Sequence, residues 1–299
     1  MTELPIFGPR DLAPGETLEP ENVNGRFRIK QPDGSKPKLY TRCTTFIGAL
    51  EDETLLKKWS QRVIMAGLVA EPALYDELMN TDPKDRDAMN KLADRAFEAG
   101  EGHVESAKGT WLHNLSFWWD TLRAMPPEMT HSDMADLATI LRVCDQAGIH
   151  HLHRERRIVI DSMKITGTPD YISEYTCLDG VRRIVIGDLK TGKGEELTYG
   201  RGKMAQQLAV YAHAEWLYTD DGSATGLREP MPEVSRTHGL ILHVPQGGAV
   251  EGLKPHLYEI PLYIGWNGVE ISRRVRDWRN YSKRVFHEVP LERDLTGMV

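Results

Sequence analysis

A chain of 299 residues with 40% hydrophobic and 27% charged side chains can bury one large core, or a core with a helical annex. No apolar run approaches the roughly 20 residues of a membrane span. Cys43, Cys144 and Cys177 form neither a disulfide framework nor a paired-cysteine zinc pattern, and the formal charge of −7 argues against nucleic-acid binding through overall charge. Residues 1–40, rich in Pro, Gly and Asn, read as an extended lead-in with a short strand at Lys38–Arg42. The opening MTELPIFGPRDL lacks the basic-then-apolar order of a secretion signal, so the expected location is the cytoplasm.

From 44 to 125 the pattern is helical. Leu55, Leu56, Trp59, Val63 and Ile64 recur at helical spacing, and a second helix is expected over 83–100. A third spans 103–124, stopped by Pro126 and Pro127, and a fourth runs from Ser132 as N-cap to Gly148. Three β-rich runs follow, at 155–160, 164–175 and 181–190. With Asp179-Gly180 as a hairpin turn they predict a three-stranded antiparallel meander. A helix over 203–218, strands over 238–244 and 256–263, and an Arg-rich helix over 269–287 complete the chain. The expected class is α/β: a helical region over 41–149 followed by a mixed core over 150–299.

Antiparallel pairing about Asp179-Gly180 brings Asp170 within about one residue of directly opposite Asp188, and opposed backbones lie only about 4.5–5.5 Å apart. The strand period of two puts Asp188 and Lys190 on one face and Leu189 on the other. Two carboxylates that can share a divalent cation, beside an ammonium, suit phosphodiester hydrolysis. The same pattern also describes a surface ion pair worth about 0–1 kcal/mol, and taken alone it does not separate the two.

Four motifs narrow the choice. Gly167 to Asp170 reads GTPD, Gly187 to Gly192 reads GDLKTG, Gln207 and Tyr211 form Q-x-x-x-Y, and Gly109 and His113 form G-x-x-x-H. With G-x-x-x-H first along the chain and Q-x-x-x-Y last, the chain resembles the PD-(D/E)XK nuclease superfamily, and more specifically its RecB-like exonuclease branch, over residues 109–211. The resemblance implies a restriction-endonuclease-like core. It implies Mg²⁺ or Mn²⁺ on His113, Asp170, Asp188 and the Leu189 carbonyl, with Lys190 assisting the water. Gln207 and Tyr211 would border DNA. The CRISPR-associated relatives carry an iron–sulfur cluster on four cysteines. This chain has too few, so no cluster is expected and the phage-type exonucleases of recombination, repair or genome processing are the nearer likeness.

Two features agree with the resemblance independently. On the 103–124 helix, Val104, Trp111, Leu115, Trp118 and Leu122 make the apolar stripe, while Gly109 and His113 lie opposite, one turn apart. Glycine there lets another element approach closely. On the later helix, Gln207 and Tyr211 are likewise one turn apart, beside Met204 and Leu208. Glu155 ranks lower as a site candidate, since a strand-edge Glu beside Arg154 and Arg156 suits a surface pair.

The run from Gly187 to Gly194 narrowly misses a P-loop, because Gly194 stands where the Mg²⁺-binding hydroxyl belongs and the segment after Gly192 reads as a turn. His150, His151 and His153 cannot all face one ion on a regular strand and read as a polar lead-in. DNA with free or single-stranded ends is the expected partner. Tyr211, Trp216 or Trp278 would stack bases, and Arg273 and Arg274 would hold phosphates. An endonuclease on the same fold and a catalytically silent DNA-binding adaptor are the alternatives.

Overall fold

A computed structural model describes residues 20–286 apart from 124, 127, 193 and 220–224. The chain is α/β, with two mixed sheets flanked by helices. Three N-terminal strands come first: β1 (Asn22–Val23), β2 (Arg26–Ile29) and β3 (Lys38–Arg42). The predicted strand at Lys38–Arg42 is therefore present, and the lead-in before it also makes a hairpin. Phe27, Ile29 and Tyr40 alternate inward from these strands and pack on Val159 and Tyr218.

Helices α1 (Cys43–Ile47), α2 (Thr54–Ala70), α3 (Pro72–Asn80) and α4 (Arg86–Ala99) follow. Leu74, Leu92 and Ala96 give α3 and α4 a small core of their own, with Ile64 and Leu68 of α2 packed against it. Two longer helices are α5 (Val104–Leu122) and α6 (His131–Gln146). The N-cap of α6 is Thr130 and not the expected Ser132. Thr130 and Asp133 close a reciprocal capping box, which satisfies two orphan backbone donors at once.

The middle of the chain holds β4 (His150–Arg154), β5 (Ile158–Ile160), β6 (Ile165–Gly167), β7 (Tyr171–Thr176) and β8 (Arg182–Lys190). Here the expected meander is corrected. The 164–175 run divides into β6 and β7, which belong to different sheets, and β4 and β5 divide likewise. Glu155, the expected start of the first run, lies instead between β4 and β5 with a left-handed backbone, φ 47°. Pro169 breaks the second, having no N–H to give a ladder. The two breaks face each other, with Glu155 N–H donating to the Asp170 carbonyl at 3.2 Å.

The remainder comprises α7 (Glu195–Tyr199), α8 (Arg201–Ala212), β9 (Trp216–Tyr218), β10 (Arg228–Pro230), β11 (Val234–His243), α9 (Gly248–Glu251), β12 (His256–Pro261) and α10 (Leu262–Tyr281). The helix expected over 203–218 ends at Ala212. Trp216 to Tyr218 are drawn instead into pairing with β5, opposite Ile158 and Val159, where Leu217 is fully buried. The Arg-rich helix begins at Leu262, earlier than expected, and its far end at 287 lies outside the described residues.

One sheet runs β1-β2-β3-β6-β5-β9-β10 and the other β12-β11-β8-β7-β4. Strand β8 is the centre of the second, antiparallel to β7 and parallel to β11. The main core lies between α8, α10 and strands of both sheets, and includes Ile158, Ile172, Ile186, Leu208 and Ile241. Leu112, Leu115 and Trp118 of α5 cover the other face of β8 together with Leu137 and Ile140 of α6. Leu115 and Trp118 therefore face inward as the wheel predicts, whereas Val104 is exposed. No described helix is long and apolar enough to cross a membrane.

Helices α8 and α10 approach through Gly265. A Cβ there would stand 2.0 Å from the Ala205 carbonyl oxygen, whereas Gly202 on α8 faces open space. Gly265→Ala should therefore lower stability by about 1–3 kcal/mol through overpacking. Gly202→Ala should be neutral or stabilising by up to about 1 kcal/mol. Urea unfolding of both variants checks this, and equal midpoints would refute the close approach.

Candidate functional site

The site grows from the end of β8. Tyr171 pairs with Gly187 across the β7–β8 ladder, and one further step places Asp170 opposite Asp188. Asp170 lies just outside β7, and its carboxylate Oδ2 accepts the Leu189 N–H at 2.6 Å. Two residues along β8, the Lys190 ammonium ion-pairs with the Asp188 carboxylate. Leu189 points to the opposite side, into the cluster made by α5 and α6. The face carrying two acids and a lysine is present as the strand period requires.

Helix α5 brings His113, whose Nδ1 lies 3.5 Å from Asp170 Oδ2. Gly109 makes that approach possible, since a Cβ on it would stand 2.8 Å from the Thr191 hydroxyl. Helix α8 supplies the third wall. The Gln207 amide donates to Asp188 Oδ1 at 3.5 Å and to the Tyr211 hydroxyl at 3.2 Å. Tyr211 is only 3% exposed. Its ring fills the space beside Gly167, where a Cβ would meet Cε1 at 2.6 Å. Tyr211 thus supports Gln207 from within the core and offers no open face for a base. Trp278 is well exposed on α10, and Trp216 is at the border of exposure.

Electrostatics separate the two carboxylates. Burial works to raise the pKa of Asp170, but His113 and then Lys190 outweigh it, and Asp170 is held below the usual carboxylate range. Burial and the neighbouring Asp170 push Asp188 up to about 6. Burial also opposes a charge on His113, yet the Asp170 carboxylate prevails and its pKa lies above the ordinary imidazole value. Environments that drive two adjacent acids apart are a mark of sites built for proton or metal chemistry.

Glu155 belongs nearer the site than its sequence position suggests. Burial, followed by Asp170, raises its carboxyl to about 7. The ranking missed this because the sheet switch that turns Glu155 inward has no periodic signature. His243 was missed altogether. It is buried, pairs across the sheet with Lys190, and its Nε2 lies 2.8 Å from the Gly192 carbonyl. Only the parallel β8–β11 pairing, made by a long crossover, brings it there.

The competing motifs resolve in the same frame. Gly187 to Lys190 are ladder residues of β8, the backbone bends at Gly192 and Gly194, and a short helix begins at Glu195. His151 stacks on Tyr171 and meets the Ser173 hydroxyl at 2.8 Å, and burial pushes its pKa down to about 4. The three cysteines are free and buried.

Among the described residues no three His, Cys, Asp or Glu side chains converge tightly enough to hold an ion as they stand. The donor chemistry nevertheless fits a hard divalent cation. A buried and a part-buried carboxylate and an imidazole face one region where a single lysine offsets only one negative charge. No family model matches this chain, and no curated protein matches it.

The crowding predicts a pH-dependent stability. The Asp188 pKa is raised from 3.8 to about 6 by folding, so its ionisation removes stability as pH climbs through that window. Asp188→Asn should therefore be at least as stable as the wild type near neutrality, with any advantage vanishing toward pH 4. Urea midpoints of both proteins across that range provide the measurement. A variant that loses stability most at neutral pH would show that Asp188 is a structural ion-pair partner only.

Proposed function

We propose that this chain is a divalent-metal-dependent deoxyribonuclease hydrolysing phosphodiester bonds. The observation that carries the reading is the Asp170–Asp188 opposition at the end of β8, with Lys190, His113 and Gln207 directed at the same two carboxylates. Mg²⁺ or Mn²⁺, held by His113, Asp170, Asp188 and the Leu189 carbonyl, would supply a Lewis acid for the phosphoryl oxygen and an acidified water. In this reading Lys190 exchanges its pairing with Asp188 for the attacking oxygen and the developing negative charge. Gln207, buttressed by Tyr211, positions the Asp188 carboxylate. Glu155, whose pKa is near 7, is a nearby group able to exchange a proton at working pH.

The preferred mode is exonucleolytic, in recombination, repair or genome processing of the phage type. The motif order supports this mode, as does the exposed Trp278 on an arginine-rich helix. A structure-specific endonuclease would use the same centre. The silent-adaptor alternative is disfavoured by the retention of both acids and the lysine at a site where Asp188 is kept under electrostatic strain.

End-labelled linear DNA incubated with and without Mg²⁺ tests the assignment. Asp170→Ala and Asp188→Ala should each abolish cleavage, and Lys190→Ala should reduce the rate far more than DNA binding. Wild-type digestion by Asp188→Ala would place the active centre elsewhere. Covalently closed circles under the same metal condition should survive, and their rapid loss would replace the exonuclease by an endonuclease. His113→Ala should raise the metal concentration needed for half-maximal rate, and an unchanged titration would remove His113 from the ligand set.

A further inference from the structure

Away from the catalytic carboxylates, the fold gathers arginines that are far apart in sequence. Arg26 follows the β1–β2 turn, and Arg276 and Arg279 lie one turn apart on α10. The short helix α1 joins them. On one side the Arg42 N–H donates to the Gly25 carbonyl at 3.1 Å, and a Cβ on Gly25 would stand 3.1 Å from the Thr45 hydroxyl. The turn carrying Arg26 is therefore pressed onto Thr45. On the other side Arg276 donates to the Thr45 carbonyl at 3.3 Å, with its guanidinium 5.3 Å from the Phe46 ring. Arg279 donates to the Ala49 carbonyl at 3.4 Å.

These guanidinium groups are close enough to disfavour one another's charge. Burial first, then Arg26 and Arg279, hold the Arg276 pKa below its ordinary value, with Asp277 acting weakly against them. Backbone carbonyls compensate two of the three. Among the described residues none of the three has a salt-bridge partner, in a chain where acids outnumber Lys and Arg by 44 to 37. Several arginines elsewhere are paired, among them Arg95 with Glu77, Arg183 with Asp179, and Arg273, the expected phosphate contact, with Glu270. Like charges assembled from distant segments without an ion-paired acid are the arrangement an incoming polyanion stabilises. Helix α1, against which the patch is built, begins at Cys43, which shares a core cluster with Tyr211. Trp278 and Tyr281, both exposed and 6.0 Å apart, stand on the same end of α10.

We propose that Arg26, Arg276 and Arg279 form a phosphate cradle that grips a DNA strand outside the cleavage centre. The choice of DNA as ligand rests on the nuclease reading, while the geometry of the cradle does not. Fluorescence anisotropy of the full chain in EDTA, with a fluorescein-labelled oligothymidylate of about 30 nucleotides, measures binding without cleavage. Each single-strand phosphate contact contributes about 0.7 to the slope of log affinity against log salt. Arg26→Gln should flatten the slope by about 0.7 and the triple Gln variant by about 2, while Arg276→Lys should keep it. The Arg26 side chain makes no hydrogen bond to the described fold, so its variant should melt like the wild type. Unchanged slopes for Arg26→Gln and the triple variant would overturn the cradle, as would equal flattening by Arg95→Gln. Arginine-dependent binding to phosphatidylserine vesicles with an unaltered DNA slope would overturn it in favour of a membrane surface. Absence of metal-dependent cleavage by the wild type would refute the nuclease while leaving the slope comparison to decide the cradle.

Discussion

Where β7 begins, its neighbour β8 still has a backbone N–H to satisfy at Leu189, and the Asp170 side chain meets it at 2.6 Å. A carboxylate has taken the place that a ladder carbonyl holds elsewhere in the pair. Hydrogen bonds to an ionised acceptor are worth about 1.5–3 kcal/mol, more than a neutral pair, so this contact can fix both the strand end and the acid. It also determines what surrounds it. With Asp170 pinned across from Asp188, the strand period directs Lys190 to the same face, while Gly109 leaves room for the Thr191 hydroxyl beside the helix that carries His113. The division of the sheets serves this contact: Pro169 ends one ladder immediately before Asp170, freeing the acid from regular pairing.

The price of this arrangement is a buried excess of negative charge. Asp188 is 4% exposed, and the burial that keeps water from it makes a second ionised acid beside Asp170 costly. A chain selected only for stability would place an amide or an aliphatic group at one of these positions. Keeping Asp170 low and Asp188 high is a local conflict of the kind that marks functional rather than structural parts of a fold.

Much of this was legible in the residues. The strand period and the Asp179-Gly180 turn located the opposed acids to within one residue, and helical spacing placed Gly109, His113, Gln207 and Tyr211 on the right elements. Tertiary partners account for the misses. Trp216 to Tyr218 continue a helical pattern but are claimed by β5, and Gly265 and Gly268 look like helix breakers until α8 is seen to need the room. His243 becomes a neighbour of Lys190 through a crossover of about 50 residues, and no local pattern reports such a pairing. The sheet switch at Glu155 and Asp170 escaped for a related reason, since an apolar run does not reveal which sheet it joins.

The N-terminal hairpin bears on how the chain is made. Strand β3 joins the larger sheet beside β6, with Thr41 opposite Ile165. A ribosome adding about 5–20 residues per second needs about 6–25 seconds to travel between those two positions. Phe27, Ile29 and Tyr40 emerge well before Val159 and Tyr218, the surfaces that cover them. The nascent chain must therefore carry an uncovered aromatic and aliphatic hairpin until Val159 and Tyr218 have been made, a natural target for a holding chaperone and a point of vulnerability to premature association.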